Sequence, residues 1–155
     1  MIDAANTRTK IGIFEVASLL AREAFASPEE AREFVGDKSI DNLLICSVIE
    51  SDVLQLFAGR ASGKSLLLSP ELPLPIINSY RTPRTLGQDR LAAACGAWSM
   101  FPGESSLSID CGTCINYEYV NQKGHYLGGA ISPGVAMRFQ AMHQLTDRLP
   151  LAEPK

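Results

Sequence analysis

The chain has no excess of positive charge: 14 Lys and Arg stand against 17 Asp and Glu in 155 residues, a formal net charge of −3. Gripping nucleic acid through its phosphates needs a basic face, so nucleic acid is not an expected partner. No uninterrupted apolar run reaches the ~20 residues that cross a bilayer, and no membrane span is expected. Asp3 stands where a secretory signal would place basic and then apolar residues, so the expected compartment is the cytoplasm. Cysteine is scarce, with Cys46, Cys95, Cys111 and Cys114 the only four. In a cytoplasmic chain with a good core these read as buried thiols rather than a disulfide frame. Cys111 and Cys114 have the spacing of a redox dithiol. Such a site opens a helix, which lowers the thiol pKa, and here a strand pattern follows instead. A zinc site needs four ligands, and neither His125 nor His143 has a partner at ligand spacing.

What is present is the composition of a globular protein, 46% hydrophobic and 20% charged, long enough to bury a core. Residues 2–15 read as strand, turn and strand. Ser27-Pro28-Glu29-Glu30 is a capping box with proline at the first helical position, and Gly36 is a fitting stop. Residues 42–48 form an apolar run without alternation, as in a strand buried on both faces. A helix is expected over Glu50 to Ala58, with Val53, Leu56 and Phe57 on one side. The next strand lies at Ser65 to Leu68 or at Pro75 to Ile77, and either order makes a βαβ unit. Ala58 to Ser65 resembles a Walker A loop, but Ala58 replaces its first glycine and no helix pattern follows. A solvated turn with Lys64 exposed is the better reading. Phe101 to Ser106 marks a lobe boundary, giving lobes 1–104 and 105–155. Beyond it Val135, Phe139, Met142, Leu145 and Leu149 recur at helical spacing up to Pro150, and are expected in the core.

The most informative stretch is Ser108 to Met137. Asp110 ends one strand, Gly112-Thr113 turns, and residues 115–119 alternate. Asn121 to Gly124 turns again, and Tyr126-Leu127 returns. Gly128-Gly129 and Ser132-Pro133-Gly134 then lead into a helix, with Ser132 as N-cap and Pro133 first. Ile2-Asp3-Ala4-Ala5-Asn6-Thr7, followed by Arg8 to Glu15, repeats the plan of an acid, a turn, a threonine and a second strand. Turn amides and threonine hydroxyls suit phosphate oxygens, and an acid at each mouth suits a hydrated cation, so two such hairpins could clamp a nucleotide. Between them, Gly87-Gln88-Asp89-Arg90 opens the helix of Leu91 to Trp98. Asp89 could accept a proton from a substrate hydroxyl, and Arg90 could grip a carboxylate.

These segments together resemble the type III pantothenate kinases of the actin-like ATPase superfamily. The family's D-x-G-N-T-x-x-K resembles Asp3 to Lys10, and its G-x-D-R matches Gly87 to Arg90, with an upstream tyrosine at Tyr80. Its D-x-G-T matches Asp110 to Thr113, and its Y-L-G-G-A-I-x-P-G matches Tyr126 to Gly134. The resemblance implies an α/β fold, ribonuclease H-like, with two lobes of mixed sheet and flanking helices. The family's second lobe runs well past Lys155, which implies that the second lobe here is incomplete and the chain truncated. The implied activity is ATP-dependent phosphorylation of pantothenate to 4'-phosphopantothenate, the first step of coenzyme A biosynthesis. By position, Asp3, Ala4, Ala5, Asn6, Thr7, Arg8, Thr9 and Lys10 would hold ATP, with Asp3 also on Mg²⁺, and Thr113 would contact ATP. Asp89 would be the catalytic base, and Tyr80, Gly87, Gln88, Asp89 and Arg90 would hold pantothenate. Asp110 would bind a monovalent cation, potassium or ammonium, and a homodimer is implied. The chain departs from the pattern at Ala5, a glycine in the family. The alternatives are a non-catalytic paralogue or fragment that binds nucleotide in a regulatory role, and a kinase of another hydroxylated acid.

Overall fold

Alternation of side chains along short strands decides the architecture. In a computed structural model, which describes residues 1–50 and 52–153, the chain divides into two compact units. One comprises Met1–Pro73 and Gly87–Ala92; the other comprises Leu74–Leu86 and the chain from Ala93 onward. Each carries a mixed sheet with flanking helices.

The first unit begins with β1 (Ile2–Ala4), β2 (Thr9–Glu15) and β3 (Ser18–Phe25). Helix α1 (Pro28–Val35), β4 (Leu43–Ser47), α2 (Val53–Leu56) and β5 (Ser65–Leu67) follow. The sheet order is β3-β2-β1-β4-β5, antiparallel on the β1–β2–β3 side and parallel across β1–β4–β5. Ile2, Ala4, Ile11, Leu43 and Ile45 bury themselves with Ala31 and Val35 of α1 and with Val53 and Phe57. Each large side chain so buried contributes about 1.5–3 kcal/mol. Ser27 caps α1 as expected, accepting from the Glu30 amide at 3.2 Å, while the return bond of the box is displaced by one residue, with Glu30 Oε2 accepting from the Ala26 amide at 3.0 Å.

Two features differ from expectation. Strand β3 carries no alternation, and its turn places Val16 at φ 54°, where a glycine or asparagine would have signalled a hairpin. Helix α2 is shorter than Glu50 to Ala58, a span that includes Ser51, outside the described residues. The Asp52 side chain caps α2 through the Gln55 amide at 2.9 Å, and Phe57 leaves the helix for the core. Of the two candidate strands after it, Ser65–Leu67 completes the βαβ unit, while residues 77–78 join the other sheet. Lys64 is exposed before β5 with no helix behind it, as the solvated-turn reading requires.

The second unit contains β6 (Ile77–Asn78), β7 (Ser106–Cys111), β8 (Cys114–Val120) and β9 (His125–Pro133), in the order β6-β9-β8-β7. Helix α3 (Gln88–Met100) starts in the first unit and continues in the second, and α4 (Val135–Gln144) follows β9. Strand β9 is longer than expected. Gly128 and Gly129 lie inside it, and the cap of α4 is Gly134, not Ser132. The physical reason is backbone proximity. A Cβ at Gly129 would sit 1.5 Å from the Tyr117 carbonyl oxygen, and Gly128 has φ +102° beside a register shift. The expected core face of the last helix is also corrected. No residue of α4 is buried, and Val135, Met142, Leu145 and Leu149 are 45–83% exposed.

Candidate active site

In the first unit, pairing places Asp3 opposite Lys10 and Ala4 opposite Thr9. Alternation sends Ala4 and Thr9 into the core, 0% and 1% exposed, so only their backbone is available to a ligand. Asp3 and Lys10 share the other face, with Lys10 Nζ 3.7 Å from Asp3 Oδ2. Between them the loop of residues 5–8 closes through Ala5 N donating to Arg8 O at 3.2 Å, and Asn6, Thr7 and Arg8 are exposed. Ala5 does not have positive φ, so its methyl group introduces no backbone strain.

Parallel pairing of β1 with β4 sets Cys46 beside Asp3. Burial pushes the Cys46 thiol up to about 12, and the carboxylates of Asp3 and Asp89 push in the same direction. Asp3, Cys46 and Asp89 therefore share one electrostatic neighbourhood. Cys46 was missed as a member of this group, and the one signal for it was its place within the apolar run of β4.

Asp89 stands on the first turn of α3. Its Oδ1 accepts from the Arg90 amide at 2.8 Å, and Gly87 O accepts from the Leu91 amide at 3.2 Å. A side chain at position 87 would meet the Asp89 carboxylate, because a Cβ there would lie 2.5 Å from Oδ1. Arg90 is buried at 9% exposure. Gln88 lines a cleft of about 280 Å³ with Ser47, Asp52 and Ser69, at the carboxyl ends of β4 and β5. Open α/β sheets take ligands at this end of their strands.

In the second unit, Asp110 lies one residue before the end of β7 and is exposed, as is Thr113 in the following turn. Gly112 N donates to Cys114 O at 2.9 Å, and Gly134 N donates to Thr113 O at 3.0 Å. A Cβ on Gly134 would fall 2.3 Å from Gly112 O, so glycine alone lets this turn rest on the start of α4. Helix N-termini attract anions. Cys111 and Cys114 lie on opposite faces of the sheet, because Cys111 pairs with Ile115 and Cys114 precedes it. Tyr80 packs against Tyr126 in the same unit. Among the described residues no group of three or more His, Cys, Asp or Glu could hold a metal, and no helix is long and apolar enough to cross a membrane.

Two mixed sheets with flanking helices, each unit carrying an acid-bearing hairpin, are compatible with a kinase of the actin-like ATPase type. A family model described as "Type III pantothenate kinase" matches residues 1–155, and the chain belongs to that family. A protein of that name from Bacteroides fragilis strain ATCC 25285 is 38% identical over 154 residues, covering 97% of this chain and 63% of the relative. One from Christiangramia forsetii is 38% identical over 159 residues, covering 100% of this chain and 65% of the relative. The chain thus spans 63–65% of the length of these relatives. A solved structure from Campylobacter jejuni, described as a conserved Baf family transcriptional activator, superposes with a TM-score of 0.55 at 17% identity. It covers 93% of this chain and 58% of that one, and supports the fold alone.

Proposed function

We propose that the chain phosphorylates the primary hydroxyl of pantothenate with ATP, giving 4'-phosphopantothenate at the start of coenzyme A biosynthesis. The observation that carries this reading is the family match over residues 1–155, with the acid-turn-threonine hairpins and Gly87-Gln-Asp-Arg90 in family order. Asp89 takes the hydroxyl proton, the freed oxygen attacks the γ-phosphorus, and the bond to the leaving ADP breaks. Phosphoryl transfer needs little beyond positioning and charge compensation, so phosphate-holding turns and one base suffice. The loop of residues 5–8, Lys10 and Thr113 hold ATP; Tyr80, Gly87, Gln88 and Arg90 hold pantothenate.

The residues fit the cations that such a reaction uses. Mg²⁺ is commonly held by one or two carboxylates together with substrate phosphates, so Asp3 alone is an adequate protein ligand. It would neutralise charge on the transferred phosphoryl group. Asp110 offers a hard, exposed oxygen to potassium or ammonium. The protein acts in the cytoplasm as a homodimer.

The test is ADP release by the purified protein with pantothenate and with a panel of other hydroxylated acids. Pantothenate-dependent ADP and 4'-phosphopantothenate are expected. Preference for another acid would replace the substrate, and ATP binding without transfer would favour a regulatory nucleotide-binding role.

A further inference from the structure

Tyr80 is held from several directions by residues that no motif singles out for this task. Its ring stacks on Tyr126, with centroids 6.1 Å apart and planes inclined by 24°. The same ring meets Gly128, where a Cβ would lie 2.9 Å from Tyr80 Cδ2 and 3.0 Å from Cε2. Behind the ring pair, the hydroxyl of Tyr126 donates to Glu118 Oε2. Tyr126 and Glu118 are 0% and 1% exposed. The backbone at Tyr80 is fixed as well: Ser79 N donates to Tyr126 O at 3.0 Å, and Tyr80 N donates to the nearby Asn78 Oδ1 at 3.1 Å.

A buried phenol needs an acceptor and a buried carboxyl needs a donor, so Tyr126 and Glu118 each meet the other's requirement. Their bond sets the Tyr126 ring, and that ring in turn limits Tyr80. A tyrosine on a loop would otherwise lose rotamer freedom on binding, which weakens affinity; a ring already held avoids that loss. We propose that Glu118, Tyr126 and Gly128 are positioning residues that hold the Tyr80 ring ready for pantothenate without touching the substrate themselves. This rests on the reading of Tyr80 as a pantothenate contact.

The experiment is steady-state kinetics on the intact enzyme with Tyr80→Ala, Tyr126→Phe and Gly128→Ala, alone and with each of the last two combined with the first. Gly128→Ala is expected to raise the pantothenate KM about tenfold and Tyr126→Phe by a few-fold, with the KM for ATP and kcat at saturating pantothenate nearly unchanged. Because both act through Tyr80, neither should add to the effect of Tyr80→Ala. Should Gly128→Ala fail to fold, Tyr126→Phe carries the test, since it removes one oxygen and keeps the ring. Losses that persist in the Tyr80→Ala background, or that fall equally on both substrates, overturn the proposal and leave the function standing. A Tyr80→Ala enzyme with an unchanged pantothenate KM removes Tyr80 from the substrate site and the proposal with it. A parent enzyme without pantothenate-dependent turnover removes the functional reading itself.

Discussion

Asp89 and Cys46 show how differently single residues announce themselves. Asp89 stands out in the sequence as a candidate base because everything that marks it is local: a glycine two positions before it, an arginine after it, and a helix starting there. Replacing it with asparagine keeps a side-chain oxygen for the Arg90 amide but removes the proposed base. Asp89→Asn is expected to abolish transfer while ATP affinity, measured by calorimetry, stays nearly intact. Turnover within about tenfold of the parent, ~1.4 kcal/mol in barrier, removes Asp89 from the mechanism. Arg90→Lys keeps the charge but not the planar fork, so the KM for pantothenate should rise more than that for ATP. Equal changes would make this buried arginine structural. Cys46 could not be read, because it meets Asp3 only through the parallel pairing of distant strands. Its consequence is a pH dependence. With a thiol raised from 9.0 to about 12 in the fold, the unfolded chain loses this proton first as pH rises. Stability should therefore be unaffected by Cys46 below about pH 9 and fall above it by at most about 1.4 kcal/mol per pH unit until about pH 12. Denaturant titrations of the parent and Cys46→Ala at pH 8 and pH 10 check this, since the variant should lose part of the slope.

At the scale of elements, legibility followed chemistry that is written locally. The Ser27 cap of α1 and the two acid-bearing hairpins were legible because caps and turns are made by neighbours in sequence. Strand β3 was not, because its turn uses a residue that suits it poorly. Val16 is fully exposed at φ 54°, where a β-branched side chain costs about 1–2 kcal/mol. Val16→Gly should accordingly stabilise the chain by about 1 kcal/mol in denaturant unfolding, and a loss of stability would mean that this turn is not left-handed. Ala5 is the opposite case. The family has glycine there, yet the loop does not use positive φ, so Ala5→Gly relieves nothing. It should cost about 0.4–1 kcal/mol through the unfolded chain and leave ATP affinity unchanged. Tighter ATP binding by that variant would show the methyl group crowding the phosphates. The glycines of β9 did carry a signal. Glycine inside a strand marks a bulge or a close backbone approach, and Gly128 and Gly129 are one of each.

At the scale of the molecule, apolar periodicity told which residues seek burial but not where they find it. The spacing of Val135, Met142 and Leu145 is helical as read, yet α4 leaves them 50%, 45% and 83% exposed. One face of β7 and β8 behaves likewise, with Leu107, Ile109 and Tyr119 at 57%, 55% and 39%. Alternation sends their neighbours Ser106, Glu118 and Val120 into the interior, so the outward residues are apolar where a solvated antiparallel sheet would be polar. Monomers rarely leave contiguous apolar surface beyond about 300–600 Å² open to water. The net charge of −3 offers little repulsion to oppose association. The 155-residue chain is therefore expected to self-associate at micromolar concentration, with a light-scattering mass above that of one chain that rises with concentration. Leu107→Lys combined with Ile109→Lys places charge on the outward sheet face without touching the inward one. It should return the chain towards a monomer with unchanged circular dichroism. A parent chain that remains a monodisperse monomer across that range would show that these residues tolerate water, and would take away the physical support for a homodimer built on this surface.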